Sequence, residues 1–287
     1  MSESSRVAVM GGPMLLFFPS CIRGKAGPSE TMHVVAIHDI NMDKETLAGA
    51  LAMVLKVTVY EALTRLRAPG NGPLIVAVLA DKERAEQLVQ QLHSVGFKAV
   101  GLTAGEIDTA ASAWIVRRFS LGEREFHVEM EKGDNLDISF QDINFVLCGI
   151  RISRSTTAET VKERSVDLGR AVLSGGMMMT KTTKTTQDVT TEVRERFVNL
   201  YAGDAPAIVF RENALDYNSL GSARKPSRSE NFTYLVAELR RYCPGVQYDE
   251  RLMNRAAQAS LLGPFLNPEE HLFVATALLA KVLRETI

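Results

Sequence analysis

VVAIHDINMDKETLAGALAMVL, residues 34–55, decides how the N-terminal part of this chain is read. The run Val34-Val35-Ala36-Ile37 is a short buried strand, and the apolar positions then switch to helical spacing at Leu47, Ala50, Leu51, Val54 and Leu55. Ala48, Ala52 and Met53 fill much of the other helix face, so the helix is expected to be covered on two sides with something docked on it. Working outward, Val59–Arg67 reads as a second helix stopped by Pro69-Gly70-Asn71-Gly72. A strand follows at Leu74–Leu79. Next comes a charged helix at Asp81–Val95, with Ala85, Leu88, Val89 and Leu92 inward and Gly96 as its C-terminal cap. A third strand is Lys98–Leu102. This β-α-α-β-α-β order describes a compact α/β module over residues 32–105, expected to fold by itself.

Three stretches of that module, VVAIHDINMDKETLAGALAMVL, VTVYEALTRL and VAVLADKERAEQLVQQLHSVGFKAVGL, resemble the fold shared by the ribosomal stalk protein C-terminal domain and the ClpS adaptors of the Clp protease. The resemblance covers about a quarter of the chain, judged by element lengths. ClpS proteins hold N-terminal destabilising residues with an Asn-Asp pair after the first strand and a histidine near the end of the second helix. The matching positions here are His38 and Asp39, and the distal histidine position falls near Pro69. The stalk domain's lysine-rich factor-binding face corresponds here to an Ala- and Met-rich helix. The resemblance therefore implies the fold and an interaction role rather than either specific activity.

Gly101–Ser112, small and polar, reads as a linker. From Trp114 the chain alternates with period 2, and Phe119, Phe126, Val128, Met130, Ile138 and Phe140 fall on strands separated by Gly122, Gly133 and Asn135. Ile143–Ile152 continues the sheet, a Thr- and Val-rich run at Thr180–Tyr201 returns through Ala207–Phe210, and residues 150–201 form a long hairpin. Ser227…Glu230 is a capping box opening a helix at Ser229–Tyr242, which Cys243-Pro244-Gly245 ends. Strands followed by one amphipathic helix over 114–245 are similar to a pleckstrin-homology-like domain, in topology only. In the C-terminal segment 246–287, Leu252–Leu262 reads as one helix. Asn267 caps another, with Leu272, Ala275, Leu279 and Val282 as its buried stripe, packed on the sheet domain or back on the first module. The expected class is α+β: a small sandwich module, then an antiparallel, pleckstrin-homology-like sheet domain with C-terminal helices.

Charge is balanced, with 33 basic and 34 acidic residues, so nucleic acid is disfavoured as the main partner. Cys21, Cys148 and Cys243 have no metal-type spacing and read as thiols of a reduced, cytoplasmic protein. No apolar run reaches the ~18 residues of a spanning helix. Val7–Phe18 is apolar but broken by Gly11-Gly12-Pro13, and Met32 directly before the first strand is read as the start, with 1–31 a poorly ordered extension.

Motif searches return negatives. In Gly175–Thr182 the position before Lys-Thr is Thr180 rather than the Gly a phosphate loop needs. No catalytic group, metal or cofactor is expected. His33, His38, His93, His127 and His271 never repeat at i, i+4 and default to structural roles. His38-Asp39 is the one pair to examine as a pocket. The hairpin tip carries the interaction expectation, in SVDLGRAVLSGGMMM (165–179): Leu168, Arg170, Val172, Leu173, Met177, Met178 and Met179, with Lys181 beside it. Pliable methionines suit a protein partner or self-association, basic residues beside apolar ones suit a membrane surface, and the bland reading folds the tip onto its own chain. The expected role is a non-enzymatic interaction or adaptor protein, with a peripheral membrane or lipid-binding protein as runner-up and an enzyme third.

Overall fold

The computed structural model describes residues 32–40, 43–68, 72–166, 180–203 and 205–286, with only the backbone course for 155–166 and 180–190. Strand β1 (His33–His38) is buried at all six positions because both of its faces are covered. It is the centre of a three-stranded antiparallel sheet ordered β2-β1-β3, with β2 at Leu74–Leu79 and β3 at Lys98–Leu102. On one face, Val35, Ile37, Val76 and Ala99 pack under α1 (Lys44–Leu55), α2 (Val59–Leu66) and α3 (Lys82–Ser94). Each helix starts where its sequence says it should. Asp43 accepts from Thr46 N, Thr58 and Glu61 form a capping box, and Asp81 accepts from Glu83 N at 2.9 Å. Gly96 has φ +90, and its N–H closes on the His93 carbonyl at 3.0 Å.

The helix read as all-round apolar is less open than expected. Leu47, Ala48, Leu51 and Ala52 all lie in the module's own core, and only Met53 of that face is largely exposed, at 77%.

Residues 101–112 are not a linker. Thr103-Ala104-Gly105-Glu106 is a capping box that opens α4 (Ala104–Ala111), and Ile107 is buried. The signature was in the sequence, but small-residue content outweighed it.

After α4 a second sheet has seven strands ordered β10-β7-β8-β9-β4-β5-β6. They are β4 (Trp114–Leu121), β5 (Glu125–Met130), β6 (Asn135–Ser139), β7 (Ile143–Val166), β8 (Thr180–Ala202), β9 (Ile208–Arg211) and β10 (Gln247–Leu252). The α+β class holds, but this sheet is mixed rather than antiparallel: β10 runs parallel to β7, and β4 runs parallel to β9. β10 also corrects the reading of Leu252–Leu262 as one helix, since the chain is extended through Leu252 before α6 (Arg255–Leu262) begins. The β7–β8 hairpin pairs from Ile143↔Ala202 out to Val166↔Thr180, as the long extended runs predict.

Where β7, β8 and β9 meet, the seven-stranded sheet is covered on both faces, whereas β4–β6 leave Arg118, Ser120 and Glu125 exposed on one. Phe126, Val146, Val198, Leu200 and Phe210 pack with Phe232, Leu235 and Leu239 of α5 (Arg228–Tyr242). Phe145, Leu147, Phe197 and Tyr201 point the other way, onto α6 and α7 (Pro268–Thr286). The same two helices close the second face of the small sheet, against Val34, Ala36, Ile75 and Val100. The layers thus run helices, small sheet, α6–α7, large sheet, α5, and the C-terminal helices pack on both modules. Gly149 on β7 is required by this closeness: a Cβ there would overlap the Phe197 ring and lie 2.9 Å from Leu252 Cβ.

Candidate functional site: an arginine-lined cavity

Of the residues expected at the hairpin tip, Leu168, Arg170, Val172, Leu173, Met177, Met178 and Met179 lie outside the described residues. Lys181 stands on β8, in register with Ser165.

His38 and Asp39 are adjacent at the end of β1. His38 ends β1 and is buried, with Nδ1 3.7 Å from Asp39 Oδ2 and Nε2 3.8 Å from Glu285 Oε2 of α7. Both separations exceed a hydrogen bond, and Nδ1 has no hydrogen-bond partner among the described residues. Asp39 adopts a left-handed conformation, φ +53, that turns its carboxylate to Lys98 Nζ at 2.7 Å. That hydrogen bond is the main reason its carboxyl sits below the ordinary range. The pair joins β1 to β3 and to the end of α7.

The chemistry gathers elsewhere, where the chain leaves β9 and enters α5. Arg117 of β4, Asp216, Asn218, Arg224, Pro226 and Arg228 line a cavity of about 440 Å³. Its walls are tied down locally. Buried Asn231 accepts from Lys225 N at 2.7 Å and donates to the Ser227 carbonyl at 2.7 Å, fastening the 225–227 segment to the helix it precedes. Asp216 N donates to the Arg117 carbonyl at 2.8 Å, which joins the opposite wall to β4. Tyr217 is buried behind it and donates to the Glu212 carbonyl at 2.9 Å; burial pushes its phenol well above the ordinary range.

Three guanidiniums face this space without a carboxylate partner among the described residues. Arg228 donates to the backbone carbonyls of Asn213 and Leu215 at 3.0 and 3.2 Å. Arg224 donates to Asn218 Oδ1 at 2.8 Å. Arg117 has no side-chain partner among the described residues. The one carboxylate in the lining, Asp216, is engaged: Oδ1 accepts from Asn218 N at 3.0 Å, and Oδ2 lies 3.5 Å from Arg118 Nε. Those contacts, the Asn218 N–H first, hold its carboxyl below the ordinary range. Neutral oxygens orient Arg224 and Arg228 without neutralising them, and among the described residues none of the three guanidiniums has a carboxylate partner. Arginine's planar fork suits bidentate capture of carboxylate or phosphate. The helix itself adds little, because the Ser227–Glu230 capping box already satisfies its first turn.

Sequence reading missed this site because Arg117, on β4, is far in the chain from Arg224 and Arg228. The signal available was Arg224-Lys225-Pro226-Ser227-Arg228, a basic cluster directly before a helix.

Among the described residues no group of three His, Cys, Asp or Glu side chains could hold a metal ion. Cys148 and Cys243 are free and buried, and burial pushes the Cys148 thiol up to about 11. No single helix among the described residues is long and apolar enough to cross a membrane; α1 and α2 pass that test only as a pair bent by 120°, and their apolar sides form the module's core. Comparison with protein-family models, curated proteins and solved structures finds no match.

Proposed function

We propose that this is a non-catalytic interaction protein of the reducing cytoplasm that captures an anionic group of its partner, a phosphoryl or carboxylate, in the cavity of Arg117, Arg224 and Arg228. The observation that carries the reading is the convergence on one cavity of three guanidiniums that have no carboxylate partner among the described residues. The free, buried Cys148 and Cys243 support the compartment. An interaction role also accords with exposed apolar side chains at the α1–α2 corner, Met53, Val59 and Tyr60, the last 79% exposed.

The test is titration of the full chain with phenyl phosphate and with benzoate, followed by amide NMR. Shifts should centre on 213–231, weaken in Arg117→Gln and Arg228→Gln, and diminish with added salt, since the guanidiniums are exposed. A third arm uses vesicles containing phosphatidylserine. Binding to vesicles with no response to either soluble anion would favour the peripheral-membrane reading. Unchanged spectra in all three arms, or equal binding by the arginine variants, would refute the assignment.

A further inference from the structure

On β8, side chains alternate between the two covered faces, and Glu195, Phe197, Asn199 and Tyr201 share the face turned to α7. An amide in that row is out of pattern. Asn199 is only 5% exposed, and its Oδ1 has no hydrogen-bond partner among the described residues. A buried polar group in this state is normally paired, because leaving it bare costs the hydration it gave up.

Asn199 lies against a cleft of about 580 Å³ between α4, β8, the 205–207 turn and α7. Tyr201, Pro206, Ala277 and Ala280 supply apolar wall. The Tyr201 ring is stacked on Phe145 with centroids 4.5 Å apart, which holds that wall rigid. Burial pushes the Tyr201 phenol up to about 12, so it stays protonated. The cleft's cations differ in availability. Lys281 Nζ is taken by Glu106 Oε1 at 2.6 Å and the Gly101 carbonyl at 2.7 Å. Arg284 has no carboxylate partner among the described residues, and its guanidinium lies over the Tyr201 ring at 5.7 Å.

We infer that this cleft binds a small carboxylic acid with an apolar body and an N–H or O–H donor, the carboxylate taken by Arg284 and the donor by Asn199 Oδ1. The cavity is of the size that small-molecule sites have, and it sets apolar wall beside polar groups that include Thr109, Asn199, Thr276 and Arg284. The inference does not depend on the arginine cavity, which lies on the other side of the large sheet, beside α5.

The probe is N-acetyl-phenylalanine, which carries all three features, titrated into the full chain by calorimetry and amide NMR. Two analogues each remove one group: the methyl ester lacks the anion, and N-acetyl-N-methyl-phenylalanine lacks the N–H donor. Binding is expected with shifts at 103–110, 199–207 and 276–284; the analogue without the donor should bind about tenfold more weakly or worse, the usual effect of leaving a buried polar group unpaired, and the ester should also bind more weakly than the parent. Asn199→Leu should fold and lose discrimination between the probe and its N-methyl analogue; Arg284→Gln, at the exposed end of α7, should lose discrimination against the ester. Failure of the probe to bind at millimolar concentration would overturn the inference. So would binding in which neither analogue differs from the parent, and that second readout needs no variant to fold.

Discussion

Excising the first module tests the layered core directly. The sheet of β1–β3 satisfies only one face within the module; Val34, Ile75, Val100 and Leu102 are buried instead against α6 and α7. At roughly 1.5–3 kcal/mol per fully buried aliphatic side chain, exposing these four removes about 6–12 kcal/mol. The upper-bound character of such area estimates lowers that figure by roughly 10–40%. Total stability of a domain is about 5–15 kcal/mol, so the loss is comparable to everything the fragment has. A fragment of residues 32–112 is therefore expected to give collapsed amide dispersion in a 1H–15N spectrum and no cooperative thermal transition. The companion perturbation is Leu279→Ala in the full chain. Leu279 is fully buried between the two sheets, so about 2–5 kcal/mol should be lost in urea denaturation, in one transition reported equally by probes in both modules. A dispersed, cooperative fragment would refute the reasoning, as would separate transitions in Leu279→Ala.

Gly149→Ala should lower stability by about 1–3 kcal/mol in urea denaturation, because its Cβ meets the Phe197 ring and Leu252 with no flexible chain end to yield. Cys148 and Cys243 should resist iodoacetamide in the native state and react once the chain is unfolded, since burial keeps both thiols protonated at neutral pH. Burial pushes the Glu106 carboxyl up, but the Lys281 ammonium and the Thr103 donors outweigh it and the net shift is downward. With the folded value below the unfolded one, this stabilisation is complete at neutral pH and is lost as pH falls from the ordinary carboxylate value through the lower folded one. Glu106→Gln should flatten that acid limb in denaturation measured from pH 6 to pH 3.

The elements were legible where local chemistry and long-range packing agree. The strands and helices of 33–102, the Ser227 and Asn267 caps and the long hairpin all carry their own start, stop and period signals. What was missed depends on partners distant in sequence. β10 is a short strand, Gln247–Leu252, with three charged residues, and it is extended because β7 offers a free edge in parallel register. α4 looked like a linker because Ala and Gly dominate it, yet one buried Ile107 and the Glu106–Lys281 contact dock it on α7. The α7 stripe was read correctly, but a stripe does not say how many sheets it serves; Val274, Leu278, Leu279 and Val282 occupy a core shared by two.

The sites were harder to read for the same reason. In a sheet with one wet face, the row Glu195, Asn199 would be read as the solvent side and no partner would be sought. α5 covers Val198 and Leu200 while α7 covers Phe197 and Tyr201, so β8 has no wet face here and each polar side chain on it must be accounted for. Glu195 meets that demand: its carboxylate accepts from Arg211 at 2.6 Å and from Asn213 N at 3.2 Å. Asn199, four residues along the same face and equally buried, leaves its carbonyl oxygen unpaired beside the cleft. Identical strand context with opposite satisfaction is what separates a structural polar residue from one that has room for a ligand.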